Sequence, residues 1–241
     1  MSESPRFRTF RAFDDPALAW AASSRFRLDR KSAERFGGDA LANRIVAALG
    51  ERRAINVKEV LESFETVARV RKRLRAKQVA DLCCGHGLTG LVFAALDREV
   101  EEVVLLDRKK PPKADLVLEA VTEAAPWVAG KVRWVEDKVA RAEAHLAPET
   151  SVIAIHACGV RTDRAIEAAV AVNGHVAVVP CCYTRTARDA PVALREALGA
   201  ELTADVHRTY LLEAKGYRAS WTAIPEAITP MNRVLIGQAP R

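Results

Sequence analysis

The sequence predicts an α/β protein. It has a mostly parallel sheet flanked by helices, closed by an antiparallel hairpin and preceded by a basic, helical N-terminal extension. Three observations carry this. From residue 78 onward, short apolar runs alternate with helical stretches, the pattern of parallel strands joined by right-handed helical crossovers. The last two apolar runs are joined only by Pro225-Glu226-Ala227-Ile228-Thr229-Pro230-Met231-Asn232, too short for a helical crossover, so they pair antiparallel. At 241 residues and 49% hydrophobic, the chain is long and apolar enough for a full core.

Residues 1–36 interleave arginines with aromatics: Arg6, Phe7, Arg8, Phe10, Arg11, Phe13, Trp20, Arg25, Phe26 and Arg27. Such a segment can follow a nucleic-acid backbone while offering stacking faces. It can equally anchor an arm to the body, which is the reading taken for the aromatics, while the arginines stay open. After Gly37-Gly38, Asp39 to Leu49 predicts a short helix closed by Gly50.

Asn56 then caps an amphipathic helix, with Glu59 placed for a capping box. Val57, Val60, Leu61, Phe64, Val67, Ala68 and Leu74 form its apolar stripe. Arg69, Arg71, Lys72, Arg73, Arg75 and Lys77 suit the negative end of the helix dipole, or form a phosphate-contacting ridge beside the site. The chain therefore divides into a basic extension, 1–55, and a sheet-bearing domain, 56–241.

Within that domain the predicted strands are 78–83, 102–106, 131–135, 151–155 and 175–179, followed by the hairpin strands 217–224 and 233–237. Helices are predicted over 88–96, 114–128, 138–146, 161–172, 191–198 and 204–215. Charge is unevenly spread. Residues 1–80 hold 18 Lys+Arg against 10 Asp+Glu, a net of +8, and the remainder is 19 against 21, a net of −2. A basic front half points to a polyanionic partner such as nucleic acid, or is a solvated basic face.

No 18-residue uncharged apolar run occurs, so no membrane span is expected. Met1-Ser2-Glu3-Ser4-Pro5 lacks the apolar core of a secretion signal, so a cytoplasmic location is expected. In that setting the five cysteines (Cys83, Cys84, Cys158, Cys181 and Cys182) are expected to be reduced.

The functional signal centres on Val79-Ala80-Asp81-Leu82-Cys83-Cys84-Gly85-His86-Gly87-Leu88-Thr89-Gly90, a strand, a glycine turn and a helix start. Such a turn exposes backbone N–H groups to a ligand. Twenty residues after Gly87, the next strand ends in Asp107, placed to accept hydrogen bonds from both hydroxyls of a ribose. Together these define a nucleoside-cofactor site. Gly85 to Gly90 fits the dinucleotide pattern G-x-G-x-x-G. However, Asp81 precedes the turn, where a pyrophosphate is repelled and a cationic amino-acid moiety is welcomed.

These features resemble the class I S-adenosylmethionine-dependent methyltransferases, whose first motif reads acid-x-Gly-x-Gly-x-Gly. Here it stands as Asp81-x-Cys83-x-Gly85-x-Gly87, with cysteine in place of the first glycine. The resemblance implies a Rossmann-like, doubly wound, seven-stranded sheet of order 3-2-1-4-5-7-6. It also implies S-adenosyl-L-methionine as cofactor, Asp107 on its ribose, and Glu136 or, preferably, Asp137 near adenine. Ile155-His156-Ala157-Cys158-Gly159, Thr162-Asp163, Val179-Pro180-Cys181-Cys182-Tyr183 and Thr229-Pro230-Met231-Asn232-Arg233 are similar to a methyltransferase family that includes tRNA ribose 2′-O-methylating members.

Methyl transfer needs an aligned acceptor and a group to take its proton. His156 and Asp163 are the candidates for that proton, His156 also lies where the cofactor is expected, and Tyr183 can stack on a flat acceptor. If the first, fourth and fifth strands are neighbours, their tips also gather Cys83, Cys84, Cys158, Cys181 and Cys182 near His156. Packing is the first reading of these thiols, cofactor or substrate contact the second. No metal is assigned, because no ligand spacing of the C-x-x-C or H-x-x-x-H kind occurs. The expected function is methyl transfer to RNA. The alternatives are a small-molecule methyltransferase and a non-catalytic nucleic-acid-binding protein of the same fold.

Overall fold

The computed structural model describes residues 5–183 and 190–240. Residues 1–4 and 241, the outer ends of the two predicted segments, lie outside the described residues, as does 184–189. The elements run α1 (Pro16–Ala22), α2 (Arg30–Ala33), α3 (Leu41–Arg52), α4 (Val57–Val70), β1 (Gln78–Leu82), α5 (Leu88–Leu96), β2 (Glu102–Asp107), α6 (Ala114–Ala124) and β3 (Val132–Glu136). They continue with β4 (Ser151–Ile155), α7 (Val160–Ala171), β5 (Val176–Val179), α8 (Val192–Ala214), β6 (Arg218–Ala223) and β7 (Arg233–Gln238), with α8 breaking at Gly199 (φ 76°) into two helical stretches, as the sequence predicts.

The seven strands pair in the order β3-β2-β1-β4-β5-β7-β6, the order that the methyltransferase resemblance implies. β7 runs antiparallel to both its neighbours and the other pairs are parallel. The two-residue period of the strands sorts their side chains between two cores. Val79, Val103, Leu105, Ile153, Ala177, Val179, Val234 and Ile236 join α3–α6 and the N-terminal segment on one face. Ala80, Leu82, Val104, Leu106, Val152, Ala154, Val176, Val178 and Leu235 join α7 and the end of α8 on the other. Asp81 shares the first face with Val79, which aims it at α5. No helix among the described residues is long and apolar enough to cross a membrane.

The expectation that the N-terminal aromatics are anchors holds for some of them and not for others. Phe7, Phe10 and Phe13 are buried, and Phe10 meets Phe36 and Phe64 edge-on with ring centroids 4.8 and 5.1 Å apart. Trp20 and Phe26 instead stand in solvent.

Four local expectations need correction. Gly50 does not end its helix. It lies inside α3, where an added Cβ would sit 3.0 Å from Ala33 Cβ and 3.1 Å from the Asp29 carbonyl, so glycine here permits helix contact. The helix expected over 114–128 stops at Ala124, because Pro126 cannot donate and opens a 3-10 turn instead. The stretch 138–146 is a 3-10 helix, Val139–His145.

The basic run after α4 is the fourth. Arg75 and Lys77 sit with Glu101, Glu102 and His175 around a cavity of about 820 Å³ at the amino ends of the strands, opposite the expected cofactor end. No phosphate ridge flanks the cofactor mouth there. Arg69 is buried, ion-paired to Glu65, and donates to the Ala223 carbonyl at 2.6 Å and the Arg6 carbonyl at 2.7 Å. It joins the N-terminal segment, α4 and the hairpin. Removing one member of a buried pair strands the other charge, so Arg69→Ala is expected to cost about 3–5 kcal/mol. Chemical denaturation compared with an exposed control such as Arg73→Ala checks this.

Candidate active site

The turn from β1 to α5 is built from left-handed backbone. Cys83 (φ 59°), Gly85 (φ 53°) and Gly87 (φ 79°) all carry positive φ. At Gly87 a side chain is doubly excluded, since a Cβ would lie 2.6 Å from Leu105 Cδ1. Cys83 replaces a glycine of the family motif and occupies the conformation glycine would take, at a cost of about 1–2 kcal/mol. Loop hydrogen bonds then fix the shape: Gly87 N–H donates to the Cys84 carbonyl at 2.8 Å, and Cys84 N–H to the Leu106 carbonyl at 3.2 Å.

Asp107, at the tip of β2, clamps this loop. Its Oδ2 accepts the Gly85 N–H at 2.9 Å and its Oδ1 the Arg108 N–H at 2.7 Å. Each oxygen keeps a lone pair for an incoming hydroxyl. Asp81 is 2% exposed, and its Oδ2 accepts the Gly90 N–H at 2.9 Å. Burial pushes its carboxyl up to about 7. The Gly90 hydrogen bond opposes this, and the nearby Asp107 and Glu59 charges add to it. A carboxyl held this way is short of a cation.

Two cavities meet at the strand tips. One, of about 370 Å³, is lined by Arg25, Glu62, Asp81, Cys83, Gly85 and His156. The other, of about 490 Å³, is lined by Cys83, Asp107, Asp137, His156, Arg161 and Arg164. Cys83 and His156 border both, so the two are arms of one groove around the end of β1. Asp137 is at the second arm with its carboxylate occupied. It accepts from Lys138 N–H at 2.7 Å and pairs with His145 Nε2 and Arg141, both at 2.9 Å. The His145 hydrogen bond, first among these, holds it below the usual carboxylate range.

His156 follows β4 with φ 56° and donates its backbone N–H to the Val179 carbonyl at 2.9 Å. Its Nε2 lies 2.5 Å from Glu62 Oε1, and its Nδ1 is buried without a hydrogen-bond partner among the described residues. Glu62, on α4, is itself buried and ion-paired to Lys58. Its neighbour Ser63 meets Thr89 at 3.0 Å, tying α4 to the start of α5.

The other two residues expected to handle the acceptor are elsewhere. Asp163 Oδ1 accepts from Arg208 Nε at 2.7 Å. Tyr183 is 5% exposed, and its hydroxyl donates to Asp205 Oδ2 at 2.9 Å. Asp205 also takes Arg208 Nη1 at 3.1 Å and Arg233 Nε at 2.9 Å. Asp163 and Tyr183 therefore belong to a polar network joining α7, α8 and β7, and neither is brought to His156. With the Arg208 and Arg233 guanidinium carbons 5.7 and 5.8 Å from its ring centroid, Tyr183 offers no open face for stacking.

A glycine turn preceded by a buried acid and clamped by a second acid, on a sheet of this order, defines the class of S-adenosylmethionine-dependent methyltransferases. Residues 53–189 match the methyltransferase-domain family, and the chain belongs to that family. It is a methyltransferase, and S-adenosyl-L-methionine is the cofactor that membership of this family implies. The donor set fits that cofactor: Asp81 lacks a cation, and Asp107 has lone pairs to spare.

No curated protein matches the sequence significantly. Among solved structures, a Corynebacterium glutamicum protein is similar at 12% identity, covering 85% of this chain and 92% of that one, with a TM-score of 0.53. The S-adenosylmethionine-dependent methyltransferase SibL, solved in its apo form, is 15% identical over 96% of this chain and 72% of its own, with a TM-score of 0.50. An O-methyltransferase family protein from Burkholderia thailandensis is 16% identical over 95% and 68%, with a TM-score of 0.48. At these identities the first two likenesses show the fold alone.

Proposed function

We propose that this methyltransferase acts on a ribose hydroxyl of RNA, with His156 as proton acceptor. The observation that carries the reading is the Glu62–His156 pair at the groove. The Glu62 carboxylate holds the His156 ring in place at the groove. A hydroxyl acceptor must lose its proton as the methyl arrives, so an oriented imidazole suits it. Asp81 takes the cofactor's ammonium group, Cys83, Gly85 and Gly87 present backbone, Asp107 holds the ribose, and Asp137 borders the adenine end. When bound, the cofactor supplies an electrophilic methyl group. The chain's own residues align the acceptor and receive its proton.

RNA is favoured by what rims the groove. Arg25 lines one arm, and Arg108, Lys138, Arg161 and Arg164 line the other. Beside Arg25, Phe26 is 86% exposed and available to stack on a base. The test supplies tritiated S-adenosylmethionine with total RNA or with a metabolite extract. Label should enter RNA and be recovered, after nuclease digestion, in 2′-O-methylated nucleosides. RNA affinity should also fall steeply with salt, with a logarithmic slope of about −0.7 per phosphate neutralised on a single strand. Label in the metabolite pool alone points to a small-molecule acceptor. RNA binding with no transfer to either pool points to a non-catalytic binding protein.

A further inference from the structure

The five cysteines divide into two groups. Cys83 and Cys84 pack against the apolar cores. Cys158, Cys181 and Cys182 join neither core, and their sulfurs face one another. Cys158 Sγ lies 3.0 Å from Cys181 Sγ and 3.4 Å from Cys182 Sγ, and the last two are 3.6 Å apart. All are free thiols, with Cys182 exposed and the other two partly so, which gives an ion a route in. We propose that Cys158, Cys181 and Cys182 form a three-thiolate site for one zinc ion.

The geometry suits the ion. Four ligands at about 2.3 Å in a tetrahedron stand about 3.7 Å apart, so each sulfur needs to shift by well under an ångström. Successive cysteines on a strand point to opposite faces, but Cys181 and Cys182 lie beyond the end of β5 and escape that rule. Gly159 N–H donates to the Cys182 carbonyl at 3.0 Å, fastening the turn after β4 to the tail of β5 before any ion arrives. Cys158 immediately precedes Gly159, the N-cap of the twelve-residue helix α7. No fourth His, Cys, Asp or Glu completes the group among the described residues, so the remaining coordination position falls to water or another small donor.

The test uses the full-length, reduced protein, stripped with a chelator and titrated with cobalt(II) and then zinc. The expected result is one equivalent of cobalt, with a thiolate-to-cobalt absorption band that zinc abolishes. The band should be lost in Cys158→Ser and in Cys182→Ser and kept in Cys84→Ser. Should the serine variants fail to fold, alkylation mapping of the wild-type protein answers independently: zinc should protect these three thiols and leave Cys83 and Cys84 unchanged. No band, no protection, or a Cys158–Cys181 disulfide formed in place of metal uptake overturns the proposal.

Discussion

Asp81→Asn is expected to abolish cofactor binding while making the ligand-free protein more stable at pH 8. The two effects have one cause. Asp81 is buried, and its carboxyl is pushed up to about 7 against an ordinary value of 3.8. With the folded value raised, the native state holds a proton that the unfolded chain has released anywhere between those limits. Stability contributed by this group is therefore full below about pH 4. It declines as pH rises toward 7 and is absent above it. The cost at pH 8 is on the order of a few kcal/mol. Asparagine carries no charge to desolvate, and its carbonyl still accepts the Gly90 N–H. Thermal melts of ligand-free wild type should fall between pH 5 and 8 more steeply than those of Asp81→Asn.

Binding runs the other way. Only the ionised carboxyl attracts the methionine ammonium, so wild-type affinity for S-adenosylmethionine should be roughly tenfold weaker at pH 6 than at pH 8. In Asp81→Asn the affinity should drop at least a hundredfold and lose that dependence. Calorimetric titration at both pH values decides. Full affinity in Asp81→Asn would remove Asp81 from the cofactor site.

Asp81, Gly87 and Asp107 are legible in the sequence because they are bound to a local pattern. A strand, a turn and a helix start fix where each backbone group points, and parallel pairing carries Asp107 to the same edge. The sheet order is legible only through the family resemblance, since alternating strands and helices do not say which strands adjoin. Glu62 is not legible. On α4, Glu59, Glu62, Ser63 and Thr66 recur at helical spacing off the apolar stripe, on the side that a surface helix ordinarily turns to water. Burial reverses that reading: α4 lies across the strand tips, so its polar face meets His156 and Thr89. Asp163 and Tyr183 mislead for the opposite reason. Both follow strand tips in sequence, but Arg208 and Asp205 on the distant α8 capture them, and no local pattern signals a contact across more than twenty residues. The grouping of Cys158 with Cys181 and Cys182 is legible once the fourth and fifth strands are taken as neighbours, but its separation from Cys83 and Cys84 is not.

His156→Gly is expected to fold, bind cofactor and lose about 10²- to 10⁴-fold in kcat, the usual contribution of a positioned base. The substitution is chosen for its backbone. His156 holds φ 56°, a conformation that costs an L side chain and costs glycine nothing, so the β4 tip keeps its shape. It also leaves a hole of imidazole size beside Glu62. Added imidazole should then restore part of the rate, with saturation. A purely structural histidine gives no such rescue, and a histidine that only touches cofactor moves Kd for S-adenosylmethionine rather than kcat. Glu62 acts through His156, so Glu62→Gln should lower kcat by a smaller factor of about 10 to 100 with little change in KM. In the double variant imidazole should rescue less, because no carboxylate then holds the added ring in place. Rescue of equal size with and without Glu62 would leave the imidazole as the base and deny the carboxylate its orienting part.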